Sequence, residues 1–405
     1  MYARSRGIVP IEDRMKPFYG SLDEEKKKSY ESLCKELSPL EEALKETYAV
    51  GRLHGLWQLN GKTSPFEDTQ VSRSPAFHSR FQHSELIAAY IKFAGANMGL
   101  SAEELRPAIM AAWMHDTGHS AFSHLGDELL IERGRMPHEE RSVAHLKDAD
   151  IVEILNKENI SVEETKKYLY EKGSALGALQ SACDTLSYLT LDTKSSYRGE
   201  YMKDEGFAFL SSVQGIDREQ NMLIVQNEEA AQELIETRAR MYKELYYHPI
   251  NKRADEAMRQ LLRIALNHNL ITLDDLENGI DTELRLTIQS LVQNDPGAAK
   301  FSVSDTIAPV LKEYKDLYTM SLGFDAPHWE RQTFDTEEQA IKALTPLSRR
   351  AIEQSFIIKP FDYTKKKLPF LKYVDDTLVP YTVQANKTEL RDEDRKYIIY
   401  FPRLT

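Results

Sequence analysis

Cysteine is nearly absent from this chain of 405 residues: only Cys34 and Cys183 occur, far apart and outside any Cys-x-x-Cys spacing. That excludes a disulfide framework and a cysteine-built zinc site, and it suits a reducing compartment. Cys183 adjoins Asp184 in an apolar stretch and is expected to be a buried structural thiol. Positive charge is also in deficit, with 52 Lys and Arg against 64 Asp and Glu and a formal net charge of -12. Such a balance excludes general nucleic-acid binding on a basic face, though it leaves room for a small basic pocket around a phosphate-bearing ligand. No run approaches the ~18–20 consecutive apolar residues of a membrane helix. The opening MYARSRGIVPIEDRMK has basic residues without the apolar centre of a signal peptide, so a cytoplasmic enzyme is expected. Internal repeats and low-complexity tracts are absent as well.

What is present reads as mainly α. Residues 22–59 alternate charged and apolar positions at helical spacing, and 60–78 are polar and loop-like. From Ser79 to Leu100, Phe81, Leu86, Ile87, Tyr90 and Ile91 predict an amphipathic helix. Ser101 with Glu104 is a capping-box start for the next helix, which is apolar almost all round through PAIMAAWM and therefore belongs in the core. Gly118 is expected to stop it. Ser161 with Glu164 marks another start, a helix is expected over about 174–192, and Asn227 opens a helical stretch ended by Pro249. NKRADEAMRQLLRIALNH and ELRLTIQSLVQ are helical again, whereas FLKYVDDTLVPYTVQ and KYIIYFPRLT read as short strands.

Seven of the eleven histidines fall between His78 and His145, under a fifth of the length. Histidine is both a common metal ligand and a group able to move protons near neutral pH. His83, the His115–Asp116 pair and Asp184 lie on three expected helices. For His83 or Asp184 taken singly, a satisfied core polar residue is the simpler account. The set is different, because an apolar helix carries His115 and Asp116 inward, where an unpaired charge is costly. Two imidazoles and two carboxylates suit Mn, Fe, Zn or Mg. Consecutive ligands converge only at a helix end, where the Gly118 turn is expected to allow it. His119 follows His115 at i+4 and shares its face if the helix resumes. His124 and Asp127, at i and i+3, are expected to hydrogen-bond, orienting the ring and raising its pKa for use as a general acid. His138–Glu139 is a second such pair, against the simpler account of a polar residue at a helix start. His78, His145, His268 and His328 have no comparable context and are expected to be structural or superficial.

RFQHS (Arg80 to Ser84), HDTGHSAFSH (His115 to His124), PHEERS (Pro137 to Ser142) and DTLSYLTLD (Asp184 to Asp192), in this order, resemble the HD-domain superfamily of metal-dependent phosphohydrolases. They are most similar to the deoxynucleoside triphosphate triphosphohydrolases, the bacterial dGTPases and the SAM-and-HD-domain dNTPases. RLHGLWQL (Arg52 to Leu59) and RARMYKELYYH (Arg238 to His248) extend the resemblance to roughly residues 45–265. It implies an HD-domain helical core over 45–265, while the patterning outside it reads as a helical extension at 1–44, a helical continuation at 266–330 and a small α+β C-terminal lobe at 331–405. The resemblance also implies a divalent metal on His83, His115, Asp116 and Asp184. His124, supported by Asp127, becomes the catalytic acid, with His119 and His138 beside the α-phosphate. Arg80 and Arg238 would contact the triphosphate. Gln58, Leu59, Tyr188, Asp192 and Tyr246 would contact the substrate, with Gln58, Tyr188 and Asp192 facing its sugar. A ring under C2′ excludes a 2′-hydroxyl, although a core aromatic is the simpler account of Tyr188 taken alone.

The chain departs from the family pattern at three places. Thr185 stands where the similar dNTPases carry a phosphate-binding lysine, and Tyr242 stands for a histidine. Glu46, Gly51 and His54 do not match the guanine-nucleotide activator site. The implied reaction is dNTP to deoxynucleoside and inorganic triphosphate, by a chain that assembles with further copies of itself. The alternatives are hydrolysis of a monophosphate, signalling nucleotide or phosphodiester on the same scaffold, and a slow-turnover nucleotide sensor.

Overall fold

Charged and apolar residues at helical spacing near the N-terminus form α1 (Ile11–Ser21), α2 (Glu24–Lys45) and α3 (Tyr48–Arg52) in the computed structural model. The structure describes residues 11–58, 78–170, 174–196, 205–293, 320, 329–345, 347, 355–360, 362, 365, 367–374, 377–385 and 392–402. The central helices are α4 (Arg80–Met98), α5 (Ala102–Met114), α6 (His124–Glu132), α7 (His138–His145), α8 (Ala149–Lys157), α9 (Val162–Tyr170), α10 (Ala175–Ser196) and α11 (Glu205–Ser212). A hairpin, β1 (Val213–Asp217) and β2 (Met222–Val225), leads to α12 (Glu228–Met241), α13 (Pro249–Asn267), α14 (Leu273–Asn278) and α15 (Asp281–Gln293). Then come β3 (Trp329–Phe334), α16 (Glu337–Leu344), β4 (Phe356–Ile358), β5 (Lys367–Val374), β6 (Thr377–Gln384) and β7 (Tyr397–Pro402). The fold is mainly α, as expected. Among the described residues, no helix is long and apolar enough to cross a membrane.

The capping box expected at Ser101 with Glu104 is formed, and Ser79 makes a further one with Gln82 at the start of α4. At the expected start of α9, Ser161 Oγ accepts the Glu164 N–H at 3.3 Å. Ser79 Oγ accepts the Gln82 N–H and the Gln82 side chain accepts the Ser79 N–H; Ser101 and Glu104 do the same for α5. Each box satisfies two backbone donors that a helix end otherwise strands. Gly99 closes α4 in the left-handed region at φ 71°. The amphipathic reading of α4 needs correction, because the helix is buried on nearly every side, Arg80, His83 and Ser84 included. It packs against α2, α5, α10 and β1 at once, so it has no solvent face to keep polar. The α4–α5 approach is close: a Cβ on Gly95 would lie 2.4 Å from Leu105 Cδ1. Along α5, Leu105, Ile109, Met110, Trp113 and Met114 are fully buried. Each contributes about 1.5–3 kcal/mol relative to exposure. Burial therefore fixes where this helix ends, and with it where His115 and Asp116 stand.

Asn227 caps α12 as expected, accepting the Ala230 N–H at 3.0 Å. The stretch does not run to Pro249, however. The backbone widens into a π-turn over Tyr242–Tyr246, where the Tyr247 N–H reaches Tyr242 O at 2.7 Å. Pro249 then opens α13 instead of closing α12, because the first helical position has no need of the N–H that proline lacks. The two late strand-like stretches hold β5, β6 and β7, with 375–376 and 403–405 lying outside the described residues. β5 and β6 form an antiparallel hairpin, and β5 runs parallel to β2, giving the sheet order β1-β2-β5-β6. A second sheet, β3-β7-β4, is antiparallel and packs toward α13 and α16. β1 and β2 escape the sequence reading, since QGID and MLIV are too short to show alternation.

Candidate active site

The chain leaves α5 through the turn His115–Gly118, and the helix does not resume. Gly118 is not in the left-handed region; its role is close packing. A Cβ there would lie 2.1 Å from His138 O and 2.4 Å from Ser142 N, so only glycine lets the start of α7 reach the turn. The Gly118 N–H donates to Ser142 Oγ (2.9 Å), which in turn donates to His115 O (2.8 Å). The left-handed residues are Phe122 (φ 61°) and Ser123 (φ 51°), just before α6. Two such non-glycine residues cost about 1–3 kcal/mol each. That strain sits directly before His124.

One cleft of about 700 Å³ is lined by every described residue singled out above as catalytic, metal-binding or substrate-binding. Leu59 lies outside the described residues. His83, on α4, has Nε2 3.0 Å from Asp184 Oδ1 on α10 and 3.9 Å from Asp116 Oδ2. His115 Nε2 is 3.3 Å from Asp116 Oδ1, and the two imidazole centroids are 5.2 Å apart. Both rings are oriented by their other nitrogen. His115 Nδ1 meets Ala112 O at 2.8 Å, and His83 Nδ1 meets Ser187 Oγ at 3.0 Å while that hydroxyl donates to His83 O. Each Nε2 is thereby left as the lone pair, the state a metal ligand requires. His115 Nε2 is buried and has no hydrogen-bond partner. An orphaned lone pair between two carboxylates and a second imidazole fits a divalent cation, and His83, His115 and Asp116 converge closely enough to hold one.

The charges agree with that fit. Burial lowers the His115 pKa, keeping the ring neutral although Asp116 favours its protonation. Burial would raise the Asp116 carboxyl, but Arg80, with His115 and His119, holds it well below the usual carboxylate range. Arg80 Nη1 donates to Asp116 Oδ2 at 2.5 Å, and its Nε donates to Ser123 Oγ at 2.7 Å. Asp184 is likewise lowered, the His83 contact outweighing burial.

The neighbouring cluster differs from the expected arrangement. Asp127 does not hydrogen-bond His124, whose Nδ1 is 3.9 Å away. Its Oδ2 instead accepts from His119 Nδ1 at 2.6 Å. Its Oδ1 accepts from the Ser120 N–H (3.0 Å), Ser120 Oγ (2.9 Å) and Arg141 Nη2 (2.6 Å). Three donors on one oxygen leave little capacity for a cation, so Asp127 acts as an anchoring anion although four ligand-type residues gather here. The cause is local: the turn folds His119 back over α6, ahead of His124. His119 stacks on His138 at 3.9 Å between centroids, and its Nε2 lies 3.3 Å from Asp116 Oδ1, bridging the two carboxylates. Burial and Arg80 oppose charge on His119, but Asp127 and Asp116 prevail and raise its pKa. His138 Nδ1 lies 3.4 Å from Asp127 and 3.3 Å from Glu139. Its pKa is lowered to about 2 by burial and by His119. The His124 side chain is 67% accessible, the one ring of the three presented openly to the cleft. Its pKa is lowered, contrary to expectation, and for so exposed a ring the cause is the neighbouring positive charge of His119 and Arg80.

Tyr188, Tyr246 and Arg238 join Gln58 and Asp192 on the same wall. Arg238 Nε donates to Tyr188 OH at 3.0 Å, and its guanidinium lies 4.2 Å over the Tyr242 ring. The π-turn makes this wall, presenting Tyr242, Tyr246 and Tyr247 to the cleft after Arg238. Tyr246 OH donates to Asp192 Oδ2. His78, read as structural or superficial, is buried with Nε2 3.0 Å from Asp192 Oδ1. Gln58 Oε1 is buried without a partner. Sequence reasoning also passed over Arg141, Ser187 and Ser123, although all three stand inside or beside the motifs quoted above; Lys252 and Asp255, which also line the cleft, carried no signal.

No protein-family model matches the chain, and no curated protein matches it significantly. Among solved structures, the chain is similar to a phosphohydrolase from Bacteroides thetaiotaomicron at 17% identity and a TM-score of 0.60. The similarity covers 90% of this chain and 95% of the other. At that identity the likeness establishes a shared fold.

Proposed function

We propose that this chain is a metal-dependent phosphohydrolase that cleaves deoxynucleoside triphosphates to deoxynucleoside and inorganic triphosphate. The observation that carries this reading is the single cleft that gathers the His83, His115, Asp116 and Asp184 donor set, the His119–His124–His138 cluster and the Gln58–Tyr188–Asp192–Tyr246 wall. A divalent cation (Mn, Fe, Zn or Mg) held by the first set supplies, when bound, an acidified attacking water and charge neutralisation on the phosphate. Arg80 and the charged His119 face the α-phosphate and stabilise its developing negative charge. Water attacks the α-phosphorus, the bond to the 5′-oxygen breaks, and His124 gives its proton to that oxygen. In the free protein His119 and Arg80 hold His124 neutral; a polyphosphate beside it reverses that balance and raises its proton affinity. Asp192 and the unpartnered Gln58 carbonyl are acceptors for a sugar hydroxyl, and the Tyr188 ring narrows the space beside it. The resemblance further implies assembly of two or more copies.

One observation favours a second reading, hydrolysis of a different nucleotide or phosphate ester on the same scaffold. Thr185 lines the cleft but spends its hydroxyl on Ser181 O at 3.0 Å, so the position after Asp184 offers no cation to a phosphate tail. Incubation with each dNTP, NTP and ppGpp under Mn and Mg, with the products resolved, separates the readings. Intact triphosphate from any dNTP supports the first; phosphate or pyrophosphate alone overturns it in favour of the second.

A further inference from the structure

The segment 276–281 lies outside every motif that points to the site, yet it grips the site's backbone. Asp281, the first residue of α15, is fully buried. Its Oδ2 accepts the Trp57 N–H at 2.9 Å and its Oδ1 accepts the Phe122 N–H at 2.7 Å. Both donors belong to backbone that shapes the cleft. Trp57 precedes Gln58. Phe122 begins the left-handed pair whose second member, Ser123, receives Arg80 and starts the helix of His124. Ser123 Oγ also donates to Trp57 O at 3.2 Å, closing the ring of contacts. The same segment adds Leu276 O, which accepts the Ala121 N–H at 2.9 Å, and Gly279 O, which accepts from Arg52 Nη1 at 3.1 Å.

A carboxylate suits this place because it offers two acceptor oxygens and no donor to two converging N–H groups. Burial pushes the Asp281 carboxyl above its ordinary range, a cost the fold bears at this position. We infer that Asp281 is a positioning residue: it holds the Phe122–Ser123 turn left-handed and thereby sets where His124 and the Arg80 guanidinium stand. The inference rests on the phosphohydrolase reading for its kinetic readout alone.

Asp281→Asn keeps the volume but presents an amide N–H₂ to one of the two donors. It is expected to lower kcat about tenfold to a hundredfold. Bound metal, counted by plasma mass spectrometry, is expected to stay at the wild-type level, because the four ligands stand on α4, α10 and the turn after α5. Asp281→Glu, which keeps both acceptors on a longer stem, loses less. Ile280→Ala, a packing change in the same segment, lowers Tm and leaves kcat near wild type. Hydrogen–deuterium exchange should quicken over 121–127 in the Asn variant and remain unchanged in α10. If that variant does not fold, the exchange comparison is made between Asp281→Glu and wild type. Wild-type kcat in Asp281→Asn, an equal kcat loss in Ile280→Ala, or unchanged exchange over 121–127 overturns the inference. Should wild-type protein cleave no phosphate ester, the functional reading fails, and the exchange result alone decides the role of Asp281.

Discussion

Asp116 is a buried carboxylate and Asp184 a half-buried one, and their surroundings set them different tasks. Asp116 is committed to Arg80 at 2.5 Å, whereas Asp184 faces the cleft with 38% of its side chain accessible. Under the proposed reading, Asp184→Ala removes an anionic donor that the fold does not need for its core. The variant should lose metal and all detectable hydrolysis while keeping its Tm; hydrolysis that survives would refute the ligand assignment. Asp127 is the opposite case, a carboxylate that the fold depends on. Burial would raise its pKa, but the charge and hydrogen bond of His119 hold it far below the ordinary range. With the unfolded carboxyl at about 3.9, the stability this group contributes is complete above that value and is lost as pH falls from there toward the folded value. Wild-type Tm should therefore drop more steeply between about pH 5 and pH 3 than that of Asp127→Asn, which starts lower at pH 7. Parallel Tm curves from thermal melts would contradict this.

Among the elements, the turn between α5 and α6 and its contact with α7 decide the site. Gly118→Ala would drive a Cβ into His138 O and Ser142 N. Overpacking of this kind costs typically about 1–3 kcal/mol. Relief requires α7 to shift, so a lowered Tm should be accompanied by reduced kcat as His138 leaves its stack on His119. A Gly118→Ala protein with wild-type kcat would show that the α7 contact is dispensable. The start of α5 was legible at Ser101, because capping chemistry is local in sequence. The π-turn was not legible. There Tyr242 packs on Arg238 of α12, and Tyr246 meets Tyr188 and Asp192 of α10, some fifty residues earlier, contacts that no local pattern records.

Across the whole molecule, the late strands belong to two different places. β5 and β6 extend the sheet begun by β1 and β2, and Leu368, Phe370 and Val383 share one core with α4, α5 and α10. Phe356, Ile358 and Tyr400 pack instead with Leu261, Leu262 and Ile264 of α13. Ending the chain before residue 367 would expose the first core, leave β2 with a free edge and remove β7 from the middle of the second sheet. Such a truncation should be insoluble or should melt without a cooperative transition. A soluble product with unchanged Tm would show that β5, β6 and β7 are dispensable.

His83, His115–Asp116 and Asp184 stand out in the linear sequence, because residue type, an apolar carrier helix and spacing within a turn are all local properties. The same holds for the mainly α character and the helix starts. Only tertiary packing decided the partners. Asp127 serves His119 rather than His124, His78 lies against Asp192, and Asp281 reaches back more than 150 residues to Phe122. A hydrogen bond between distant segments depends on how helices settle against one another, and no periodicity records that. The sequence alone therefore singled out the candidate side chains, and the fold assigned which of them meet.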